Sequence, residues 1–184
     1  MHNPAGMLLQ EKALKQKIIP TPEEEAKASR YVTSDGYLYI PTQGIRNSIA
    51  SGGKGRRIGK MAATTILRSA MFPAEDRSIL YDPATNKPLT ADRYVIDTRR
   101  VQFKGSSGGP SSVLRSRALI DSYYVDFPLE LDAVIDDEMI VEVGNIGGRL
   151  VGIGDYRPEK SGPFGRYTIE KLNGNAVVPK AKSK

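Results

Sequence analysis

Tyr123-Tyr124-Val125-Asp126-Phe127-Pro128-Leu129-Glu130-Leu131, running into Asp132 to Gly148, is the stretch on which the fold assignment turns. Tyr123, Val125, Phe127, Leu129 and Leu131 alternate with polar or turn residues, the two-residue period of a half-buried antiparallel strand. Asp132 then opens a predicted helix whose apolar members are Ile135, Met139, Val143 and Ile146, with Gly147-Gly148 as its stop. Strands interrupted by one helical region early and one late predict an α+β domain, with helices on one face of an antiparallel sheet and long loop insertions. The expected sheet is ferredoxin-like or RRM-like.

Upstream, Tyr37-Leu38-Tyr39-Ile40-Pro41 reads as a short strand, and Thr42 as the N-cap of a helix through Ile45 and Ile49. After the Gly52-Gly53-Lys54-Gly55-Arg56-Arg57 loop, Ile58, Met61, Ala62, Thr65 and Ile66 predict a second helix with Lys60 and Arg68 towards solvent. Pro73, Asp82-Pro83 and Asn86-Lys87-Pro88 mark an irregular excursion. Tyr94 to Asp97 and Val101 to Phe103 are strand-like, and Gly105 to Ser112 is a flexible loop. Residues 1 to 35 read as an N-terminal arm, in which Met7 to Ile18 are expected to form a short helix that Pro20 and Pro22 break before Glu23-Glu24-Glu25. Val151 to Ile153 and Tyr167 to Ile169 are expected to pair around a glycine-rich loop, leaving 36–172 as the domain and 173–184 as a disordered basic tail.

The chain has 184 residues, 39% hydrophobic and 26% charged, with a net charge of +6 and no cysteine. That is the composition of a soluble globular protein, without disulfides, thiol nucleophiles or cysteine zinc sites. No apolar run approaches a membrane span and no signal peptide is visible, so a cytoplasmic protein is expected. Charge is segregated. Gly36 to Ala74 holds Arg46, Lys54, Arg56, Arg57, Lys60 and Arg68 without an acid, while Ala118 to Gly148 holds eight acids without a base. Such blocks predict an anion-binding face and a separate acidic face, or head-to-tail self-association.

His2 is the only histidine, which removes a Ser-His-Asp centre and a histidine-rich metal site. Gly52-Gly53-Lys54-Gly55 fails the phosphate-loop pattern, because Gly55 stands where Ser or Thr is required. Asp136-Asp137-Glu138 suit the helix dipole better than a cation, and Asp97 suits an ion pair with Arg99 or Arg100. No cofactor or metal is expected.

The positive signal lies in Gly147 to Tyr167, where glycines, basic residues and aromatics interleave: close backbone approach, phosphate neutralisation and base stacking in one segment. Three basic groups are the candidate interface: Arg46, Lys54, Arg56, Arg57 and Lys60; Arg99, Arg100 and Lys104 with Arg115 and Arg117; and Arg149, Arg157, Lys160 and Arg166. Arg115 and Arg117 project to one strand face. Tyr156, Phe164 and Tyr167 are the candidate stacking residues, with Tyr167 equally suited to the core.

Tyr37 to Ile49, a strand ending Ile-Pro and leading into a helix with Ile-Arg, resembles the entry of the RAMP superfamily, and Gly147 to Gly165 resembles its C-terminal glycine-rich loop. That superfamily has an RRM-like fold and includes the repeated backbone subunits of CRISPR effector complexes and CRISPR RNA-processing endonucleases. Met1-His2-Asn3 and Gly152 to Arg166 are similar to a group of phage and prophage proteins. The resemblance covers roughly 35–172. It implies a first strand ahead of Met-His-Asn, and without that strand an open sheet edge suited to pairing with a neighbour. The endonuclease branch often depends on a histidine, which the body of this chain lacks.

The function expected from these features is non-enzymatic binding of single-stranded RNA or DNA by repeated, head-to-tail subunits. The alternatives are a viral assembly protein that uses its charged faces for subunit contacts, or a nuclease using Asp97 or the Asp136 region with Mg²⁺.

Overall fold

A computed structural model describes residues 19–104 and 110–177. In chain order these form α1 (Pro22–Ser29), β1 (Tyr39–Pro41), α2 (Thr42–Gly52), β2 (Arg57–Ile58), β3 (Met61–Ala62), α3 (Ala63–Ala70), β4 (Met71–Pro73) and β5 (Arg77–Ile79). β6 (Val95–Lys104), β7 (Pro110–Leu119), β8 (Leu129–Leu131), α4 (Asp137–Leu150), a 3₁₀ turn at Pro158–Lys160, β9 (Lys171–Leu172) and β10 (Asn175–Ala176) follow. The fold is α+β. Its ladders are two-stranded: β1 with β5, β2 with β3, β4 with β8, β6 with β7 and β9 with β10. None of the four described helices is long and apolar enough to cross a membrane.

The chain divides into two compact units, Met1–Ile40 with Arg77–Asp126, and Pro41–Asp76 with Phe127–Lys184. In the first, Leu38, Leu80 and Leu89 are buried, with Ile40, Ile120, Tyr123 and Val125 packed against them. Pro22 begins a helix here where a break was expected. Proline suits the first helical position, and Thr21 and Glu24 form a reciprocal capping box with backbone contacts of 3.2 and 2.9 Å. Met7 to Ile18 and most of the Gly105 to Ser112 loop lie outside the described residues.

In the second unit α2 follows its strand as read, with Pro41 as the N-cap and Thr42 as the first helical residue. Ile58, Met61 and Ala62 belong to a hairpin rather than to a helix: Gly59, with φ of +58°, turns the chain so that Arg57 pairs with Ala62. The helix starts at Ala63. The strand expected over 123–131 alternates in burial only from Val125 onward, and only Leu129–Leu131 is a strand, pairing with β4. Pro128 has no N–H to give a ladder, and the two halves of the stretch fall in different units.

Asp136 caps α4, accepting from the Met139 N–H at 2.7 Å, so the helix begins later than expected. It also continues through Gly147 and Gly148, which were read as its stop. The cause is close packing: a Cβ on Gly52 would lie 2.0 Å from the Val143 carbonyl oxygen, one on Gly147 2.3 Å from that of Ser48, and one on Gly148 2.0 Å from that of Tyr167. Val151–Ile153 and 167–169 do not form a ladder; Ile153 donates to the Gly165 carbonyl, and Ile169 to the Asn145 side chain at 2.8 Å. Past Asn173, an Asn-Gly turn at positive φ closes a short β9–β10 hairpin.

A helical Gly→Ala change in open space gains up to about 1 kcal/mol. Gly52→Ala instead should cost about 1–3 kcal/mol, because the methyl group meets the backbone of α4 rather than a flexible side chain. Chemical denaturation measures it, and an unchanged or raised midpoint would contradict this packing.

Candidate nucleic-acid interface

The first unit carries a two-stranded ribbon in which all of β6 pairs with β7, from Val95↔Leu119 to Lys104↔Pro110. Ten residues at about 3.4 Å each give an arm roughly 34 Å long. Opposite positions share a face, so Arg99 stands across from Arg115, and Asp97 from Arg117. Directly opposed arginines repel. Two carboxylates relieve this: Asp97 accepts from Arg99 Nε at 2.7 Å, and Glu25 of α1 accepts from Arg115 at 2.9 Å and from Arg117 at 3.5 Å. On the other face Arg100 Nε donates to Ser112 Oγ at 2.9 Å.

The ribbon is not covered by a core. Leu114 is 66% exposed, Val95 57% and Val101 44%, so apolar side chains stand in solvent on both faces among the arginines. What α1 covers is the outer edge of β7. Glu25 takes the Ser116 N–H at 2.8 Å, and Ser29 Oγ takes the Ala118 N–H at 3.0 Å, so side chains satisfy donors that a neighbouring strand would otherwise bond.

The second unit holds the other two basic groups. Arg46 is structural: its Nε donates to the Met71 carbonyl at 2.8 Å and its Nη2 to that of Arg68, just where α3 ends and carbonyls lack helical partners. Lys54, Arg57 and Lys60 are exposed around the β2–β3 hairpin. Arg56 makes a two-pronged pair with Glu142 of α4, both contacts 2.6 Å, and this hydrogen bonding raises its pKa. One base of the Gly36 to Ala74 block thus pairs with one acid of the Ala118 to Gly148 block within the unit. Arg56, Arg57, Asp136, Glu138 and Glu142 line one cavity of about 400 Å³, with Met139 and Val143 among its apolar walls.

In the segment after α4, Gly152, Gly154 and Gly165 have positive φ, and a Cβ on Gly162 would lie 1.8 Å from the Tyr156 carbonyl oxygen. Most of these glycines thus serve turns and close packing, not ligand approach. Arg157 holds Glu159 at 2.6 Å and the Gly154 carbonyl at 3.1 Å. Arg149, Lys160 and Arg166 are exposed, without an acidic partner among the described residues. Tyr156 is half exposed, and its ring meets Phe164 edge-on at 6.1 Å. Tyr167 belongs to the interior: its hydroxyl donates to Ser48 Oγ at 3.1 Å, and that hydroxyl donates to the Gly147 carbonyl at 3.3 Å.

The candidate residues thus fall into the ribbon group on one unit and the two remaining groups on the other. Lys104 is placed by its backbone pairing with Pro110. Glu25, Ser29 and Glu142 were not anticipated, although the Thr21-Pro22-Glu23-Glu24 capping box was a readable sign of the helix that carries Glu25. Among the described residues no set of three or more ligating side chains is placed to hold a metal ion. Searches against family models, curated proteins and solved structures find no match to this chain.

Burial pushes the Tyr167 phenol up to about 12, against its hydrogen bond with Ser48. The unfolded chain gives up this proton near about 10. The native state holds it longer, so stability falls as pH rises through that window, by up to about 3 kcal/mol for this group. Tyr123, also raised by burial, acts in the same direction. Tyr167→Phe should therefore flatten, without abolishing, the alkaline loss of stability between about pH 10 and 12 in denaturation curves; an identical pH profile would contradict the assignment.

Proposed function

We propose that this protein is a non-enzymatic binder of single-stranded nucleic acid, RNA or DNA, and that the β6–β7 ribbon is its principal contact. The supporting observation is the ribbon itself, an arm with arginines at 99, 100, 115 and 117 and with Val95, Val101 and Leu114 exposed among them. Exposed apolar side chains imply a partner surface. Guanidinium groups between them match phosphates alternating with the apolar faces of sugars and bases. Lys54, Arg57 and Lys60, with Arg149, Lys160 and Arg166, supply further cationic surface on the other unit.

We place the protein, within the same reading, among repeated subunits that line up along a strand in a prokaryotic or phage-infected cytoplasm. The support is the likeness of Tyr37 to Ile49 and Gly147 to Gly165 to RAMP-superfamily proteins. An RRM-like ancestry is part of that proposal. It rests on those residues, while the described ladders are two-stranded. Exposed Met61, Phe72 and Leu150 on the second unit favour subunit contacts, and are also what an assembly protein without nucleic acid would carry.

Binding of single-stranded oligonucleotides across a salt series tests the reading, with light scattering on the same samples. Each lost phosphate contact removes about 0.7 from the slope of log K against log salt, so Arg99→Ala with Arg100→Ala should flatten it by about 1.4. An unchanged slope would exclude the ribbon. Growth of particles without oligonucleotide, and no binding at low salt, would favour the assembly reading instead.

A further inference from the structure

Three donors of the ribbon converge on one carboxylate. Glu25 Oε1 accepts from Arg115 Nη1 at 2.9 Å and from Arg117 Nη1 at 3.5 Å, and Oε2 accepts from the Ser116 backbone N–H at 2.8 Å. The Glu25 side chain is only 16% exposed, whereas those of Arg115 and Arg117 are 38% and 37% exposed and reach solvent. A phosphodiester offers the same chemistry as this carboxylate, two oxygens sharing one negative charge.

We propose that Arg115, Arg117 and the Ser116 N–H form a phosphate subsite of the ribbon, which Glu25 fills in the free protein and yields to a bound strand. The proposal rests on the reading of the ribbon as a nucleic-acid contact, and adds to it an intramolecular competitor. Helix α1 suits that task. Its eight residues are too few to persist as a helix without tertiary packing, so the turn that carries Glu25 has little cohesion of its own once Glu25 is displaced. Its far end stays tethered, because Arg30 donates to the Ala91 carbonyl and lies 4.7 Å over the Tyr94 ring. Ser29 Oγ, beside that tether, keeps the Ala118 N–H, so detachment at Glu25 frees only the Ser116 N–H along the edge of β7.

Three variants of the full chain separate this from a general charge effect, read by binding of a fluorescent single-stranded oligonucleotide across a salt series. Glu25→Gln should bind about tenfold tighter, with a salt slope steeper by about 0.7 as Arg115 becomes available, Arg117 keeping its hydrogen bond to the Ser116 carbonyl. Glu23→Gln removes the same charge from an exposed position of the same helix and should change affinity less than about twofold. Thr21→Ala leaves Glu25 and all three donors in place and only weakens the helix cap; it should tighten binding by about threefold. This variant keeps the test decisive if Glu25→Gln loosens the fold.

Equal effects of Glu25→Gln and Glu23→Gln would overturn the competition, as would weaker binding by Glu25→Gln, which would make Glu25 an organiser of the arginines. In either case salt-sensitive binding by the unaltered protein leaves the ribbon reading standing. Failure of the unaltered protein and all three variants to bind would overturn both.

Discussion

The contact between α2 and α4 organises the second unit, and it depends on the absence of side chains. Gly52 and Gly147 let the two backbones approach until a carbonyl oxygen of the partner occupies the space of a Cβ. Gly148 does the same for the segment that carries Tyr167, and Gly144 for the Ile169 side chain. Once the helices are this close, Ile49, Ile140 and Val143 are buried, and Ser48 lies within reach of both Gly147 and the Tyr167 hydroxyl. Such density resists added volume. The same contact carries the α2–β2 turn towards the start of α4, which is why Arg56 finds Glu142.

Internal neutralisation decides which cations remain for a partner. Arg46, Arg56 and Arg157 are engaged with carbonyls or carboxylates of their own unit, and Arg99, Arg115 and Arg117 with Asp97 and Glu25. A net charge of +6 therefore overstates the field any one surface presents. The ribbon remains the strongest candidate because its ion pairs are partly exposed and its apolar residues lack a core, a combination that a polyanion with flat bases would satisfy.

Local signals in the sequence were reliable where local physics governs. Ile45 and Ile49, one helical turn apart after Ile40-Pro41, are buried on α2, and Asp136 to Glu138 sit at the start of α4. The alternation expected from Tyr123 to Leu131 described burial from Val125 onward, yet not pairing, because pairing depends on partners distant in the chain. Ile58, Met61 and Ala62 fit helical spacing by coincidence, and Gly59 at positive φ decided for a turn. Gly147-Gly148 carries the composition of a helix stop. Only the presence of α2, about a hundred residues earlier in sequence, against Gly147 and of the Tyr167 segment against Gly148 makes it a packing surface. The basic groups could be picked out by residue type, and so could the local Asp97–Arg99 pair, but the distant acidic partners could not, since Glu25 and Arg115 meet only through the tertiary fold.

The central claim is that the β6–β7 ribbon touches the strand. Photo-crosslinking of the full chain to a single-stranded oligonucleotide carrying thio-substituted bases, followed by mass spectrometry of the adducts, tests it most directly. The account predicts adducts concentrated in peptides spanning Val95–Lys104 and Pro110–Leu119. Adducts confined to the second unit, with none on the ribbon, would contradict it.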